Sequence, residues 1–468
     1  MEKGYKVVSE CVDLSHEGLG VFKIDGLTVF CPNALVGEKV KIEIEKVNSN
    51  FAQGKVLEII KKSPNRVKPI CKNYEVCGGC DLMHMDYNSE LKFKEKMAVE
   101  TLKRIGNLKV VPTEGILGME DPYYYRNKVQ IPFSSLKGKT ICGFYKKKSH
   151  YIIPLDECFI QPVLATDIAK FVKNLANEYE VEGYNDLDKK GILRHVLIRK
   201  NYLDEYMVIL ILKKDALNNE KEIIDKIKNR YPNVKSILIN IQEKDSNVIL
   251  GNKTRVVYGK GEMIDDLLGY KFILSYKSFF QINRTQTEKL YNVAKEYAAL
   301  KGNETVLDAY CGVGTIGITL SKNAKKVYGI EIVPEAIENA KRNATLNNIN
   351  NIEFSVGKAE EVILNMEDIN FDVCVFDPPR KGCDKVFLDS IIKKHVKKLV
   401  YVSCNVATLA RDIDYLSEYY KVEKVKFVDM FPHSADVETV ALLQRKDIDD
   451  WLKVRFDWEV FSLLKEEM

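Results

Sequence analysis

A cysteine closes the run Lys398-Leu-Val-Tyr-Val-Ser-Cys404-Asn405, where apolar and β-branched residues read as a buried strand and Thr408-Leu-Ala-Arg411 as the opening of a helix. A thiol at the carboxyl end of such a strand stands where open α/β sheets collect their ligands, and the start of the next helix favours its thiolate form. The position also suits a small core hydrophobe, because free cysteine is among the most buried residue types. What surrounds it in the chain decides between the two.

Upstream, Thr305-Val-Leu-Asp308 reads as a short buried strand, followed by Ala-Tyr310-Cys-Gly312-Val-Gly314-Thr-Ile-Gly317 and an apolar helix. Lys326-Val-Tyr-Gly-Ile-Glu331 is a second strand ending in an acid, and residues 334–347 a second helix, which together make a Rossmann-like β-α-β unit. The glycine spacing fits a dinucleotide fingerprint, so an NAD-dependent oxidoreductase is one reading. Three acids favour S-adenosylmethionine. Asp308 is placed to meet a cationic methionine end, where a pyrophosphate would have no use for a carboxylate. Glu331 can accept both ribose hydroxyls. Asp377-Pro-Pro-Arg-Lys-Gly382 ends a third strand in a carboxylate and a stiff double proline, a loop suited to sit beside a target base.

A second constellation lies in the front half. Cys71, Cys77 and Cys80 fall within ten residues, with glycines between the last two, and Cys158 follows a hairpin of residues 140–145 and 151–154 across the turn Lys146-Lys-Lys148. Four such thiols suit zinc or an iron–sulfur cluster equally on spacing alone. Between them, residues 88–105 show a helical apolar face, with Lys92, Lys94, Lys96 and Lys103 largely elsewhere. Tyr123-Tyr-Tyr-Arg126-Asn-Lys128 interleaves aromatic and basic residues, a pattern that stacks on unpaired RNA bases or, equally, a strand with one wet face.

The elements that must position these residues fall into an expected multidomain order. Residues 1–62 read as five short strands and a small OB-like β-barrel, 63–277 as a central α/β domain with the cysteine site and an RNA-binding surface, and 278–445 as a Rossmann-like α/β domain. Residues 446–468 form a tail in which Trp451, Val454, Phe456, Trp458 and Val460 roughly alternate with polar residues.

With 468 residues, 46% hydrophobic and 29% charged, the composition is that of an ordinary soluble protein. The net charge of +4 says little, but residues 86–150 hold 13 Lys and Arg against 7 Asp and Glu. Neither a signal peptide nor a membrane-spanning run is visible, and eleven cysteines clustered in this way argue for ligands rather than a disulfide framework. A cytoplasmic monomer is expected.

Gln281, the loop from Asp308 to Gly314, Glu331, Asp377-Pro-Pro-Arg-Lys-Gly382, Ser403-Cys404-Asn405 and Phe431-Pro-His-Ser-Ala-Asp-Val-Glu438 follow in one order. Together they resemble the RNA uracil-5-methyltransferase family over nearly the whole chain. Gly18-Leu-Gly20, Ala34-Leu-Val-Gly-Glu38 and Ser63-Pro-Asn-Arg66 resemble its TRAM domain. The resemblance implies Cys404 as nucleophile, Glu438 as proton acceptor, and Gln281, Asp308, Tyr310, Gly312, Gly314, Glu331 and Asp377 as contacts of S-adenosylmethionine. It also implies a [4Fe–4S] cluster on Cys71, Cys77, Cys80 and Cys158, and it breaks the tie with zinc. Possession of both front modules resembles the ribosomal branch, so 23S rRNA is the expected substrate, with tRNA as the alternative. An iron–sulfur RNA-binding protein with an inert second half is a further reading. Two departures stand out: Val406 follows Asn405 where the family usually has proline, and Asp436 stands where it usually has histidine.

Overall fold

Val306, Leu307 and Ala309 are buried on successive positions of the strand Thr305–Ala309, the signature of a parallel strand covered on both faces. In the computed structural model, which describes residues 1–147 and 149–446, this strand lies inside an eight-stranded sheet. The order is Ile352–Val356, Lys326–Glu331, Thr305–Ala309, Val373–Phe376, Lys398–Ser403, Glu438–Arg445, Tyr420–Val428 and Thr113–Leu117. The first five are parallel. Glu438–Arg445 is antiparallel to both of its neighbours, and Thr113–Leu117 runs parallel to Tyr420–Val428, so the expected Rossmann-like sheet is mixed toward one edge. From Thr305–Ala309 the chain first builds outward on one side and then returns to the other. The carboxyl ends of Thr305–Ala309 and Val373–Phe376 therefore flank the topological switch point, where open α/β sheets bind ligands.

The chain divides into two compact units. The sheet above belongs to one, which among the described residues comprises 98–117, 288–428 and 437–446; the other comprises residues 1–97, 118–287 and 429–436. In the latter, a seven-stranded sheet has the order Ile152–Pro154, Lys139–Tyr145, Lys128–Leu136, Leu193–Lys200, Tyr206–Leu212, Val234–Ile241 and Lys253–Tyr258. Its one parallel pair, Tyr206–Leu212 with Val234–Ile241, is bridged by the helix Glu220–Arg230. The hairpin expected before Cys158 is present, as Lys139–Tyr145 paired with Ile152–Pro154. Lys148 in its turn, and residues 447–468 of the tail, lie outside the described residues.

The front sheet differs from the expected five-stranded barrel. It has six strands, in the order Lys6–Glu10, Lys39–Val47, Phe51–Lys61, Leu27–Cys31, Gly20–Ile24 and Asp13–Leu14, and no ladder among the described residues closes its two edges. The edges are joined instead by the chain itself. Past Glu10, the Cys11 N–H donates to the Glu38 carbonyl and the Val12 N–H to the Val21 carbonyl, leaving only two residues for the last strand.

Two motifs far apart in sequence meet below this sheet. Glu38, fully buried, accepts from the Leu35 N–H (2.9 Å), the Ser63 N–H (3.2 Å) and Arg66 Nη2 (2.8 Å), while the same Arg66 nitrogen donates to the Asn33 carbonyl (2.7 Å). Burial alone would raise the Glu38 carboxyl, but Arg66 and the two amides outweigh it and hold its pKa below the usual value. Because that pKa is depressed, the stabilisation is present above the unfolded carboxylate pKa and is lost as pH falls through the folded one. Removing one partner of such a pair strands the other, so Glu38→Ala should lower stability by about 3 kcal/mol in urea titration at pH 7. A loss under about 1 kcal/mol would show that the pair is effectively solvated.

The helix Tyr87–Ile105 corrects one expectation. Lys94 is not on a wet face but fully buried, donating to Glu90 Oε1 (2.8 Å), Asp429 Oδ1 (2.6 Å) and the Phe431 carbonyl (3.2 Å). Glu90 Oε1 also accepts from the His433 N–H (2.7 Å), so this helix holds residues 429–433, the chain just before Glu438.

Candidate active site

At the switch point the glycines hold the chain against an acid. Gly314 caps the helix Thr315–Ser321 at φ +82°, and Tyr310 and Gly312 also have positive φ, a tight turn that brings amides to the strand end. The Gly317 N–H donates to Asp308 Oδ2 (2.7 Å), and a Cβ on Gly317 would fall 2.7 Å from that same oxygen, which is why the third glycine is needed. Asp308 Oδ1 is buried without a hydrogen-bond partner. Burial, then the charges of Asp377 and Glu331, push the Asp308 carboxyl up to about 8 against the pull of the Gly317 amide. Burial raises Asp377 to about 7. Glu331, at the end of its strand, accepts from the Gly312 N–H (3.2 Å) and the Val333 N–H (3.0 Å). Three carboxylates thus crowd one strand-end crevice, and among the described residues no cation is hydrogen-bonded to them, an arrangement suited to a positively charged ligand.

Cys404 is half-buried beside this crevice. The antiparallel register pairs Val402 with Val440 and Ser403 with Thr439, where the ladder ends; Cys404 and Glu438 are the next residues of the two segments, and Glu438 is only 2% exposed. This neighbourhood is not legible in the local pattern, because it depends on the order of the strands in the sheet. The thiol is pushed up to about 11, first by burial and then by Glu438 and Asp377, with Arg380 opposing them. This overturns the expected thiolate-favouring helix start. The helix begins at Val406 with Asn405 as its cap, and Asn405 Oδ1 takes the Ala407 (3.0 Å) and Thr408 (3.4 Å) amides, so those donors are spent on the cap.

The Asp377-Pro-Pro loop is pinned to the same helix. Asn405 Nδ2 donates to the Arg380 carbonyl (3.1 Å), and Arg411 Nη2 to the carbonyls of Lys381 (3.1 Å) and Cys383 (3.3 Å). Asp412, 2% exposed, accepts from the Tyr401 hydroxyl (2.7 Å) and the Cys383 N–H (2.9 Å) on one oxygen and from Arg411 on the other. Gly382 has no room for a Cβ between Arg411 and Asp412. Two residues of this surround were missed from sequence: Asp412, which fixes the loop, and Tyr291. The buried Tyr291 phenol hydrogen-bonds Thr315 (3.0 Å), and its pKa is raised by burial and then by Asp377, Asp308 and Glu438. Gln281 belongs to the other unit, where it is buried and its carbonyl accepts from Asn127 Nδ2 (2.8 Å).

In that other unit, Cys71, Cys77, Cys80 and Cys158 line a single cavity of about 250 Å³. Burial and then the other three cysteines raise the Cys80 thiol. Among the described residues no three of His, Cys, Asp or Glu converge as ligands of one ion, whereas a cluster distributes its thiolates over several irons. The cavity wall carries Arg126 and Lys128. Arg126 Nε is buried without a partner, and burial followed by Arg199 and Arg126 lowers Lys128 to about 8. Two half-buried cations lining the same cavity as the thiols fit an anionic occupant. Along residues 123–128 the exposure is uneven: Arg126 and Lys128 line this cavity, Tyr125 is buried with its hydroxyl on the Pro432 carbonyl (3.1 Å), Tyr123 packs on His433, and Tyr124 is exposed.

Residues 184–446 match the family model described as tRNA (Uracil-5-)-methyltransferase, and residues 12–57 the TRAM domain. An uncharacterized RNA methyltransferase of Clostridium acetobutylicum is 48% identical, covering 93% of this chain and 96% of its own. One from Bacillus cereus is 46% identical, covering 92% and 95%. Among solved structures, the Pyrococcus abyssi tRNA (uracil-54, C5)-methyltransferase in complex with S-adenosyl-L-homocysteine superposes with a TM-score of 0.76 at 28% identity, covering 93% of this chain and 99% of its own. With more than half of its length matched by that model and relatives of this identity along nearly all of it, the chain belongs to the tRNA (uracil-5-)-methyltransferase family and is an S-adenosylmethionine-dependent RNA methyltransferase.

Proposed function

We propose that the enzyme methylates carbon 5 of a uridine in RNA through a covalent adduct on Cys404, with Glu438 as the base that releases it. The observation that supports this reading is that the charges of buried Glu438 and of Asp377 both act on the Cys404 thiol, just past the Ser403–Thr439 pair. Carbon 5 of uracil is too weak a nucleophile to take a methyl group unaided. When the Cys404 sulfur bonds to carbon 6, the electrons of the 5,6 double bond move into the carbonyl at carbon 4, and the resulting enolate is nucleophilic at carbon 5. S-adenosylmethionine supplies an electrophilic methyl on a sulfonium, which leaves as a neutral thioether. Glu438 then removes the proton from carbon 5, the double bond re-forms and the Cys404 sulfur departs. The Cys404 proton must leave first. Glu438 and Asp377 oppose this by holding the thiol up, and a cation balanced against Asp377 would relieve that opposition.

On this reading Asp308, Asp377 and Glu331 would hold the cationic cofactor, with the turn at Tyr310, Gly312 and Gly314 bringing the backbone close. With carboxyls near 7 and 8, Asp377 and Asp308 are largely protonated at pH 6 and ionised at pH 9. Calorimetry should therefore find that preference for S-adenosylmethionine over S-adenosylhomocysteine grows about tenfold across that range. The amino group common to both ligands cancels in the ratio. A ratio that stays flat would mean that the acids do not face the sulfonium.

In the front half, the four cysteines are proposed to hold a [4Fe–4S] cluster as a structural clamp, its negative charge met by Arg126 and Lys128. Anaerobic protein should be brown, absorb near ~400 nm and carry about four irons and four sulfides per chain. Cys80→Ser should lose all three. A colourless preparation loaded with zinc would contradict the assignment.

The substrate we place first is 23S rRNA, in keeping with the two front modules. A second reading, tRNA, is favoured by the match to the Pyrococcus abyssi tRNA enzyme, which spans 93% of this chain, front half included. Mass spectrometry of 5-methyluridine in RNA from cells with and without the gene decides between them. Loss of the mark from neither RNA would overturn the proposed reaction.

A further inference from the structure

Two adjoining cavities, of about 530 and 510 Å³, open along the hairpin of Lys139–Tyr145 and Ile152–Pro154 and share Tyr145, Ser149 and His150. The first runs past Lys189 to His195; the second runs past Lys146 and Lys147 to Gly78 and Gly79, in the loop between Cys77 and Cys80. We infer that this groove seats a single-stranded stretch of the RNA substrate, with one unstacked nucleotide in the first cavity.

The charges in the groove are unevenly satisfied. Its two carboxylates are already engaged: Asp186 accepts from the Tyr145 hydroxyl (3.3 Å) and lies 3.8 Å from His150 Nδ1, and Asp245 accepts from the Tyr184 hydroxyl (2.5 Å) and pairs with Lys213 (2.5 Å). Lys146 and Lys189 form no ion pair among the described residues, so cations are left facing the groove. At its shared mouth the Tyr145 and His150 rings stand 5.8 Å apart and nearly edge-on, next to Tyr151, which is 68% exposed. His195 lines the first cavity with its Nδ1 buried and without a hydrogen-bond partner, while the neighbouring Arg194 is spent on the carbonyls of Gln242 (3.0 Å) and Lys244 (2.6 Å). Burial and then Arg194 hold His195 down to about 4, so at neutral pH the ring adds no charge to the cavity wall. Cations for phosphates and aromatic rings for stacking are what an unpaired nucleotide needs, and a bare anion would leave the rings unused.

The inference rests on the RNA-methylating reading, and its test keeps the two apart. Single-stranded RNA carrying 4-thiouridine is bound to the full-length protein, irradiated, and the crosslinked peptides are read by mass spectrometry. Crosslinks should fall within residues 145–151 or 186–195. The double variant His150→Ala, Lys189→Ala should weaken RNA binding about tenfold and flatten its salt slope by roughly 0.7 for the lost cation, with thermal melting and S-adenosylhomocysteine affinity unchanged. Normal RNA affinity in that variant, with crosslinks only elsewhere, overturns this site and leaves the methyltransferase reading standing. If uridine monophosphate alone binds, and the variant loses that binding but not RNA binding, the groove is a free-nucleotide site and the inference also fails. Failure of the unaltered protein to bind any RNA would remove both.

Discussion

Cys404→Ala should reduce methyl transfer to RNA by at least about four orders of magnitude, because removing a nucleophile leaves only binding and orientation to act on an unactivated carbon. S-adenosylhomocysteine affinity should barely move. The side chain is half-buried, and Ala is smaller and uncharged, so the fold tolerates the change; it also removes the thiol that Glu438 and Asp377 hold up to about 11. The pH profile of the unaltered enzyme offers an independent check. A nucleophile with so high a pKa before cofactor binds should give a rate that climbs with pH, and saturation with S-adenosylmethionine should move the climb to lower pH by balancing Asp377. Turnover retained in Cys404→Ala would end the covalent scheme.

Glu438→Gln should fail at the opposite end of the reaction. The amide keeps the shape of a side chain that is only 2% exposed at the start of its strand, but it cannot take the carbon 5 proton. Methyl transfer would proceed once and stop, so a protein–RNA band resistant to denaturant should accumulate to about one per active enzyme while multiple turnover falls at least about a hundredfold. Removing the Glu438 charge also takes away one of the groups that raise Cys404, which should make the first step easier and the trapped species more abundant. A variant that turns over normally, or that forms no adduct while binding RNA, would place the base elsewhere.

The parts of the site that could be read from sequence are those built by one local passage of chain. Thr305–Ala309, the turn through Gly312 and Gly314 and the helix after it form a continuous strand-turn-helix, so period and glycine spacing suffice to place Asp308 at a strand end. The run into Cys404 is legible for the same reason. What could not be read depends on distant segments. Asp412 looks like an ordinary helix acid until Tyr401 and Cys383 are brought to it. Lys94 follows the spacing of a solvated face, yet Glu90 and Asp429 bury it as an ion pair. Arg126 and Lys128 suggested a surface because basic residues usually stay wet, and the cavity they line is assembled from Cys71 to Cys158. The helix-start argument for a Cys404 thiolate failed because it counted the first amides as free, when Asn405 had already taken them. The last strand of the front sheet, Asp13–Leu14, is only two residues long, and such a length is not set by the local pattern of alternation.

The central claim is that Cys404 becomes covalently joined to the target base during methyl transfer, and 5-fluorouridine tests it most directly. With fluorine at carbon 5 the adduct can form and the methyl group can move, but Glu438 finds no proton to remove, so the enzyme cannot let go. RNA with 5-fluorouridine at the target position, incubated with the enzyme and S-adenosylmethionine, digested and examined by peptide mass spectrometry, should show a methylated fluorouridine on the peptide containing Cys404. Methylation of ordinary RNA by the same preparation, with no adduct on that peptide from the fluorinated substrate, would contradict the account.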